Sequence, residues 1–551
     1  MKSEKKAFLR SLLPGLLLSL GLCFMLFVYA PFELLLTNRD DFWFSAGQML
    51  PYTLVLFAAG LLVCSMALLL ARRLGARVLT LATAALMLLV LGFYVQGNFL
   101  VAGLPGLNGA LIDWNAYPKQ RLLSVLCWLG CALVTGLLLW RLREVRFRLA
   151  AGALGGGMTL LLALTLVGLV LTGGSGRHEV LASTDQELLS MSEQENFIVV
   201  HLDAVDACAF EEIIAADPTY QTAFADFTYY DNTTSGYPNT KCSVPLILTG
   251  RWYEAQQDYD SFVNEAMAAS PLLGRLEEKG YRLGLYDMDN FYLSMDLFDG
   301  RFENMRPDDP VIGSKKEMAV MVVRMALVKY APWDLKRPGY NLQRRLQTFR
   351  EFRQGGDLGY YDWSNEGFYS RLNQSEPIRL RPEKTFKYIE LEGAHNPFVY
   401  LRDVTRSENA TYKSGIEASL TIALRLIEQM KACGAYDNAV LVFMADHGYN
   451  PALDDTNYNQ HPLLLIKGRG ESHPFAVNNA PVSHEDIVDA FRKLLDGAPG
   501  GDCFDWQAGQ TRERRFLRHD WRDITRFEEY IQTGQAEDME TLRPSGRIYT
   551  R

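Results

Sequence analysis

Two short stretches of this 551-residue chain end in side chains that could bind one metal ion. Asp203 follows the apolar run FIVVHL, and Asp446 and His447 follow a second such run, AVLVFMA. Runs of this length and composition predict buried strands. In an open α/β sheet, ligands bind beyond the carboxyl ends of the strands, so these side chains are expected to converge. Oxygen and imidazole ligands suit Zn²⁺ or Mn²⁺, and we predict a site for one of these metals.

A third stretch, TSGYPNTKCSVPLILTG (Thr234 to Gly250), resembles the nucleophile turn of the alkaline phosphatase and sulfatase superfamily. Sulfatases place Cys or Ser at the nucleophile position, with Thr-Gly nine and ten residues later; here Thr240 takes that position and Thr-Gly follows at those offsets. Cys242 and Val244 replace the Pro and Arg of the sulfatase motif. The pattern Thr-x-x-Ser-Val-Pro is instead similar to that of phosphoethanolamine transferases. The resemblance therefore implies phosphoryl rather than sulfuryl transfer.

The resemblance also assigns roles within the site. It implies that Thr240 is both metal ligand and nucleophile and forms a covalent phospho-threonine intermediate. A Thr hydroxyl needs a base or a cation to become nucleophilic, and a helix N-terminus would add favourable partial charge. His395 and His461 would stabilise phosphate oxygens, protonate the leaving group or bind a second cation. The related transferases commonly have Glu where Asp203 stands, which leaves the coordination by the shorter side chain open.

The elements that must position these residues form an α/β pattern. FKYIEL, a predicted strand, precedes the loop with His395, and an amphipathic helix from Tyr412 to Cys433 leads to the strand before Asp446. We predict a sulfatase-like, alkaline phosphatase-type domain with a mostly parallel central sheet over residues 197–497, followed by a C-terminal appendage at 498–551. Residues 315–359 are interpreted as an inserted pair of helices that covers the site and shapes acceptor binding.

The N-terminal third predicts a five-helix transmembrane domain over residues 1–172, joined by a linker at 173–196. Five apolar segments are each about long enough to cross a bilayer: Phe8–Tyr29, Met49–Leu70, Val78–Leu100, Leu122–Trp140 and Leu149–Leu171. Basic residues cluster on alternate sides of these segments. The positive-inside rule then places the N-terminus in the cytoplasm and the catalytic domain outside it. The protein is expected in the cell membrane as a multi-pass enzyme.

The composition argues against a nucleic-acid partner, and it leaves open whether two cysteines form a disulfide. The net charge of −9 gives no sign of a nucleic-acid surface. Cys208 and Cys242 lie close in sequence to the predicted site, and they either form a disulfide or are two buried thiols. His201 is expected to point into or across the sheet rather than at the metal, and His484 is not assigned as a ligand.

These patterns and the resemblance favour one function over two alternatives. The leading hypothesis is a transferase that moves phosphoglycerol or phosphoethanolamine from a phospholipid donor to an envelope glycan or lipid acceptor, as in lipoteichoic acid synthases, which share five spans and an external domain. A sulfatase-like hydrolase (phosphoesterase) of envelope substrates would use the same residues with water as acceptor. A non-catalytic, lipid-sensing or partner-binding membrane protein is the third reading, although the intact set of Thr240 and metal ligands argues against it.

Overall fold

A computed structural model describes most of the chain. The described residues are 2–39, 42–104, 114–172, 180–287, 293–308, 310–336, 349–352, 359–449, 459–520 and 523–551. Part of the predicted linker and the second half of the predicted inserted helical pair lie outside these residues. All six predicted site residues lie within them.

Helices occupy both halves of the chain. Their bounds are α1 Lys2–Phe24, α2 Ala30–Thr37, α3 Ala46–Leu74, α4 Ala76–Phe99, α5 Pro118–Arg141, α6 Glu144–Thr172, α7 Ala207–Ala216, α8 Thr219–Ala223, α9 Thr240–Thr249, α10 Tyr259–Ala268, α11 Pro271–Glu278, α12 Met295–Phe298, α13 Lys315–Tyr330, α14 Asn365–Leu372, α15 Tyr412–Cys433 and α16 Ile487–Leu495. A π-helical turn, Met25–Tyr29, joins α1 to α2.

Among the described residues, all strands lie after residue 180. Their bounds are β1 Leu181–Ser183, β2 Ser190–Ser192, β3 Asn196–Leu202, β4 Thr228–Tyr230, β5 Thr233–Thr234, β6 Tyr281–Tyr286, β7 Met305–Pro307, β8 Pro310–Ile312, β9 Arg350–Phe352, β10 Arg379–Arg381, β11 Lys384–Leu391, β12 Ala439–Met444, β13 Leu464–Lys467, β14 Ala476–Asn478, β15 Val482–Ser483, β16 Arg514–Arg518, β17 Arg526–Gln532 and β18 Leu542–Thr550.

The contacts divide the chain into two compact units, and the first contains the apolar helices. Within the described residues, five helical segments are long and apolar enough to cross a membrane, which agrees with the five predicted spans. Residues 309–353 belong to this unit rather than to the α/β domain. Helix α13 packs on α2, α3 and α4, with the Tyr330 hydroxyl donating to Glu33 at 2.9 Å and Lys329 paired with the same carboxylate. The expectation that this insertion covers the site therefore has no support from α13.

The second unit is built on a seven-stranded sheet with the order β14-β4-β13-β12-β3-β11-β6. Strand β13 runs antiparallel to both of its neighbours, and the remaining pairs are parallel. Every residue of β3 and β12 is buried, as continuous apolar runs predict for central strands covered on both faces. Two hydrophobic cores contain alternate residues of these strands. The predicted fold class, an apolar helical unit followed by an α/β unit with a mostly parallel sheet, is confirmed.

The C-terminal residues form a three-stranded antiparallel sheet, β16-β17-β18. It contacts the rest of the second unit directly: the Leu517 amide donates to the Gly236 carbonyl at 2.8 Å, and the buried Arg514 side chain bonds to Asn232. The predicted appendage thus lies against the Thr234–Gly250 stretch. Residues of the predicted linker also join this unit, since β1 pairs with β7 and β2 with β10.

Candidate active site

Two acidic residues lie side by side at the carboxyl edge of the sheet. Strand β3 is parallel to β12, with His201 opposite Met444, so that Asp203 and Asp446 follow neighbouring strands at the same level. Asp203 is 2% exposed and Asp446 is fully buried. Burying two carboxylates together is unfavourable unless something compensates their charge. The topology therefore concentrates negative charge at this edge.

Two imidazoles lie against these carboxylates. His201 Nε2 is 2.9 Å from Asp446 Oδ1, and His447 Nε2 is 3.5 Å from an oxygen of Asp203 and from one of Asp446. The other ring nitrogen of His447 lies 2.7 Å from the Gly448 carbonyl oxygen. Since a carbonyl can only accept, Nδ1 carries a hydrogen, and Nε2 faces the carboxylates. This is the arrangement of a metal-ligating histidine.

Several polar atoms of this cluster make no well-directed hydrogen bond to any described residue. All of these atoms are buried and lie at or around the two carboxylates. They are Asp203 Oδ1, both carboxylate oxygens of Asp446 and both ring nitrogens of His201. Leaving such groups unpaired costs about 1–3 kcal/mol each, and more when they are charged. His201, Asp203 and Asp446 each have a donor atom within 4.8 Å of the others. A divalent cation fits this donor set and would satisfy it.

Burial and neighbouring charges shift the pKa values of the two carboxyls in opposite directions. Burial, together with the negative charges of Asp446, Glu390 and Glu392, raises the pKa of Asp203 well above its ordinary value. Burial alone would also raise the pKa of Asp446, but His447 and His201 outweigh it and lower the pKa of this carboxyl. The charges of the two carboxyls are thus coupled, and ionising both of them in this buried place is unfavourable.

Thr240 is the first residue of α9, beside this cluster. Its hydroxyl is close enough to Asp446 to lower the pKa of that carboxyl, although the bond is not well directed. Asn239, at the N-cap, has extended backbone angles, and Gly250 ends the helix in the left-handed conformation with φ 70°. The free N–H groups of the first turn make this a favourable place for an anion. The geometry therefore brings together Thr240, Asp203, Asp446 and His447, and their roles as nucleophile and metal ligands stay predictions.

Asn239 is held by a residue that the sequence did not indicate. Its Nδ2 donates to His519 Nε2 at 2.8 Å, while His519 Nδ1 lies 2.9 Å from the Asp520 carbonyl oxygen and so carries the ring hydrogen. Burial lowers the pKa of His519 to about 4, which keeps the ring neutral. A cavity of about 220 Å³ opens beside His519, lined also by arginine and acidic side chains. His519 thereby fixes the residue that precedes Thr240.

His395 lies on a loop that packs on Asp203. The Ala394 amide donates to the Asp203 carbonyl at 2.9 Å, and Gly393, with φ 58°, approaches the Asp203 backbone so closely that a Cβ would overlap it. The His395 side chain is exposed, with its ring centroid 6.0 Å from that of Trp363. Its role in phosphate binding or proton transfer stays a prediction.

His461 is buried and belongs to a neighbouring cluster. Its Nε2 lies 2.9 Å from the Asp231 carbonyl oxygen, and its Nδ1 lies 3.3 Å from Cys208 Sγ. The open question of a disulfide is thereby answered, because Cys208 and Cys242 are both free thiols and Cys242 lies in a hydrophobic core. The catalytic role predicted for His461 stays a prediction.

Two further histidines near the carboxylates were missed. His201 was expected to avoid the metal, but residues i and i+2 of a strand share one face, and this spacing from Asp203 was the available signal. His484 is 1% exposed and makes no well-directed side-chain hydrogen bond to a described residue. It is close enough to Asp446, His201 and His447 to interact with their charges. Burial lowers its pKa to about 3, so it stays neutral. Nothing in the sequence near His484 indicated this position.

Comparison with solved structures finds similarity to sulfatases and to a member of the alkaline phosphatase superfamily. No protein-family model and no curated protein matches the chain. A protein in the alkaline phosphatase superfamily from Vibrio parahaemolyticus is 12% identical, with a TM-score of 0.37 and coverage of 67% of this chain and 80% of that chain. The PsFucS1 sulfatase from Pseudoalteromonas sp. is 14% identical, with a TM-score of 0.38 and coverage of 65% and 84%. The phosphonate monoester hydrolase SpPMH from Silicibacter pomeroyi is 13% identical, with a TM-score of 0.33 and coverage of 64% and 88%.

Proposed function

We propose that this protein is a membrane-anchored, metal-dependent transferase that moves a phospho-alcohol group from a phospholipid to an envelope glycan or lipid. The observation that carries the proposal is the position of Thr240, at the N-terminus of α9 and next to the buried Asp446. A hydroxyl at that place can attack a phosphoryl group that the helix N-terminus holds. The proposed group is phosphoglycerol or phosphoethanolamine.

The chain's own residues would act in two displacement steps. Thr240 Oγ1 loses its proton and attacks phosphorus. The bond between phosphorus and the diacylglycerol oxygen breaks, that oxygen takes up a proton, and a phospho-threonine diester remains. An acceptor hydroxyl then attacks the same phosphorus, loses its proton and releases Thr240. Asp203, Asp446, His447 and Thr240 would hold Mn²⁺ or Zn²⁺, which supplies Lewis acidity toward the hydroxyl and the phosphoryl oxygens. His395 would donate a proton to the leaving oxygen or bind a phosphate oxygen.

Membrane anchoring supports a lipid donor for a physical reason. Spans that confine the enzyme to the bilayer plane raise the effective concentration of a donor in the same plane without adding a contact. In the first unit, α13 and the turn after it contact the ends of three predicted spans, at Glu33, Gly97 and Ser124. All three ends lie on the non-cytoplasmic side under the positive-inside assignment.

The test is the mass of the full-length protein after incubation with Mn²⁺ or Zn²⁺ and a mixture of bacterial phospholipids in detergent. We expect an adduct that peptide mapping places on Thr240, whose mass distinguishes phosphoglycerol from phosphoethanolamine. Thr240→Ser should keep an adduct because it keeps a hydroxyl, and Thr240→Ala should have none. An adduct on another residue, or an unchanged adduct in Thr240→Ala, would refute the assignment.

The same experiment separates transfer from hydrolysis. In a transferase, the phospho-threonine persists in water and disappears when an acceptor with free hydroxyls is added. In a hydrolase, the alcohol phosphate is released at the same rate without an acceptor. A protein that binds metal, forms no adduct and releases no phosphate from any donor would instead favour the lipid-sensing module.

A further inference from the structure

A second group of potential metal ligands lies next to the proposed active site. Asp206, Cys208 and His461 each offer a carboxylate, thiol or imidazole atom, and these three atoms lie within 4.8 Å of one another. Asp206 and His461 are 6% and 4% exposed, while Cys208 is half-buried. The set differs from Asp203 and Asp446 in containing sulfur, a soft donor that selects thiophilic metals.

Backbone hydrogen bonds hold the two segments that carry these residues in register. The Ala207 amide donates to the His461 carbonyl at 3.1 Å, and the Leu463 amide donates to the Val205 carbonyl at 3.0 Å. Asp206 forms a bridge with Pro462 between these bonds. The backbone pairing of the two segments therefore brings the three residues close together.

The imidazole has the orientation that a ligand needs. Because the Asp231 carbonyl can only accept, Nε2 of His461 carries the ring hydrogen across the 2.9 Å contact. Nδ1 then presents its lone pair toward Cys208 Sγ, 3.3 Å away. A backbone carbonyl that fixes the remote nitrogen of a histidine is the usual support for a metal ligand.

The surroundings favour a cation. Asp206, Glu211 and Glu537 place negative charge around the Cys208 thiol. One oxygen of Asp206 accepts from the Cys208 amide at 3.0 Å, and the other faces Gly448, where a Cβ would come within 3 Å of it. A bound cation would offset this charge and displace the thiol proton, as metals do when thiolates bind them.

We propose that Asp206, Cys208 and His461 bind a thiophilic divalent cation, such as Zn²⁺, at a site separate from that of Asp203 and Asp446. Binding forms a metal–sulfur bond and releases the Cys208 proton to solvent. Three protein ligands leave a coordination position for water or for an oxygen of an anionic ligand. The proposal does not depend on the proposed phosphotransfer.

Cobalt distinguishes this site from the first, because only a thiolate ligand gives Co²⁺ a sulfur-to-metal charge-transfer band in the near ultraviolet. Full-length protein in detergent, stripped with chelator and titrated with Co²⁺, should show this band and release protons as the band grows. Cys208→Ser should lose the band and one equivalent of bound metal. His461→Gln should keep a weaker band with an affinity lower by more than about 10–100-fold, which is the loss typical of changing a group that only supports a ligand.

Matched thiol controls keep the test sharp. Cys433→Ser changes a half-buried thiol outside the cluster, and Cys242→Ser changes the thiol next to Thr240; both should retain the band. Asp203→Asn should also retain it while losing the other equivalent of metal. The absence of a band in the wild-type protein, or its persistence in Cys208→Ser, would overturn the proposal and leave a thiol–imidazole hydrogen bond beside a helix cap.

Discussion

Replacing Asp203 with Asn tests whether the buried carboxylates are retained for a cation. Asp203 and Asp446 each place an oxygen within 4.8 Å of the other. Two unit charges at that separation repel by about 3 kcal/mol at an effective dielectric constant of about 20. The amide has nearly the same shape as the carboxylate but removes this repulsion. Without metal, Asp203→Asn should therefore unfold at a higher temperature than the wild type, by roughly several degrees.

With metal, the order should reverse. A cation at one hundred times its Kd stabilises the folded wild type by about 2.7 kcal/mol, and an amide in place of a charged ligand should remove most of that gain. The assay is intrinsic-fluorescence melting of the full-length protein in detergent, first with EDTA and then with Mn²⁺ or Zn²⁺. Asp505→Asn, which changes a carboxylate that is 82% exposed, is the control and should follow the wild type in both conditions.

Two results would refute this reasoning. A lower melting temperature for Asp203→Asn in EDTA would mean that the carboxylate stabilises the metal-free fold, contrary to the burial and repulsion described above. A wild-type metal shift in Asp203→Asn would mean that the cation binds elsewhere. The opposite signs expected for the two conditions also separate a lost ligand from general destabilisation.

Two further predictions concern the supports of the site. Gly393→Ala should reduce the metal-induced rise in Tm and lower turnover at least about tenfold, because its Cβ would overlap the Asp203 backbone. Gly470→Ala is the control, since Gly470 has a similar positive φ (66° against 58°) but open space around it. Equal losses in the two variants would contradict the role of the close approach. For His519, burial lowers the pKa to about 4, so the stability that its neutral ring provides is complete above about pH 6.5 and falls by roughly 3 kcal/mol as the pH drops toward 4. The Tm difference between wild type and His519→Gln should therefore shrink between pH 7 and pH 4.5, and a constant difference would show that the ring is not held neutral.

The sequence predicted the central elements because their signals are local. FIVVHL and AVLVFMA became the central parallel strands β3 and β12, and the periodic Tyr412–Cys433 run became α15, closed by Gly434 in the left-handed conformation. Continuous apolar runs, helical periodicity and a terminal Gly each act within about twenty residues. The candidate metal ligands Asp203, Asp446 and His447 could be proposed from the sequence for the same reason, because they directly follow such strands.

Two contacts that were missed join residues far apart along the chain. His519 bonds to Asn239 across 280 positions, and His461 reaches Cys208 across 253. No hydrophobic periodicity or capping pattern in the sequence predicts either contact. The packing of helix α13 on α2, α3 and α4, with Tyr330 against Gly97, also joins distant parts of the chain and could not be predicted from the composition of α13.

This difference between local and distant signals follows from what each residue has to do. A ligand at a strand end gains its position from the sheet, so the strand that positions it also marks it in the sequence. A supporting residue needs only to contact the site in the folded protein, and it can come from any segment of the chain that packs there. The C-terminal sheet illustrates this: its composition gave no role, yet it delivers His519 to the residue before Thr240. Variants of such supports, rather than of the strand-end acids, will therefore show how the rest of the fold controls the reactivity of Thr240.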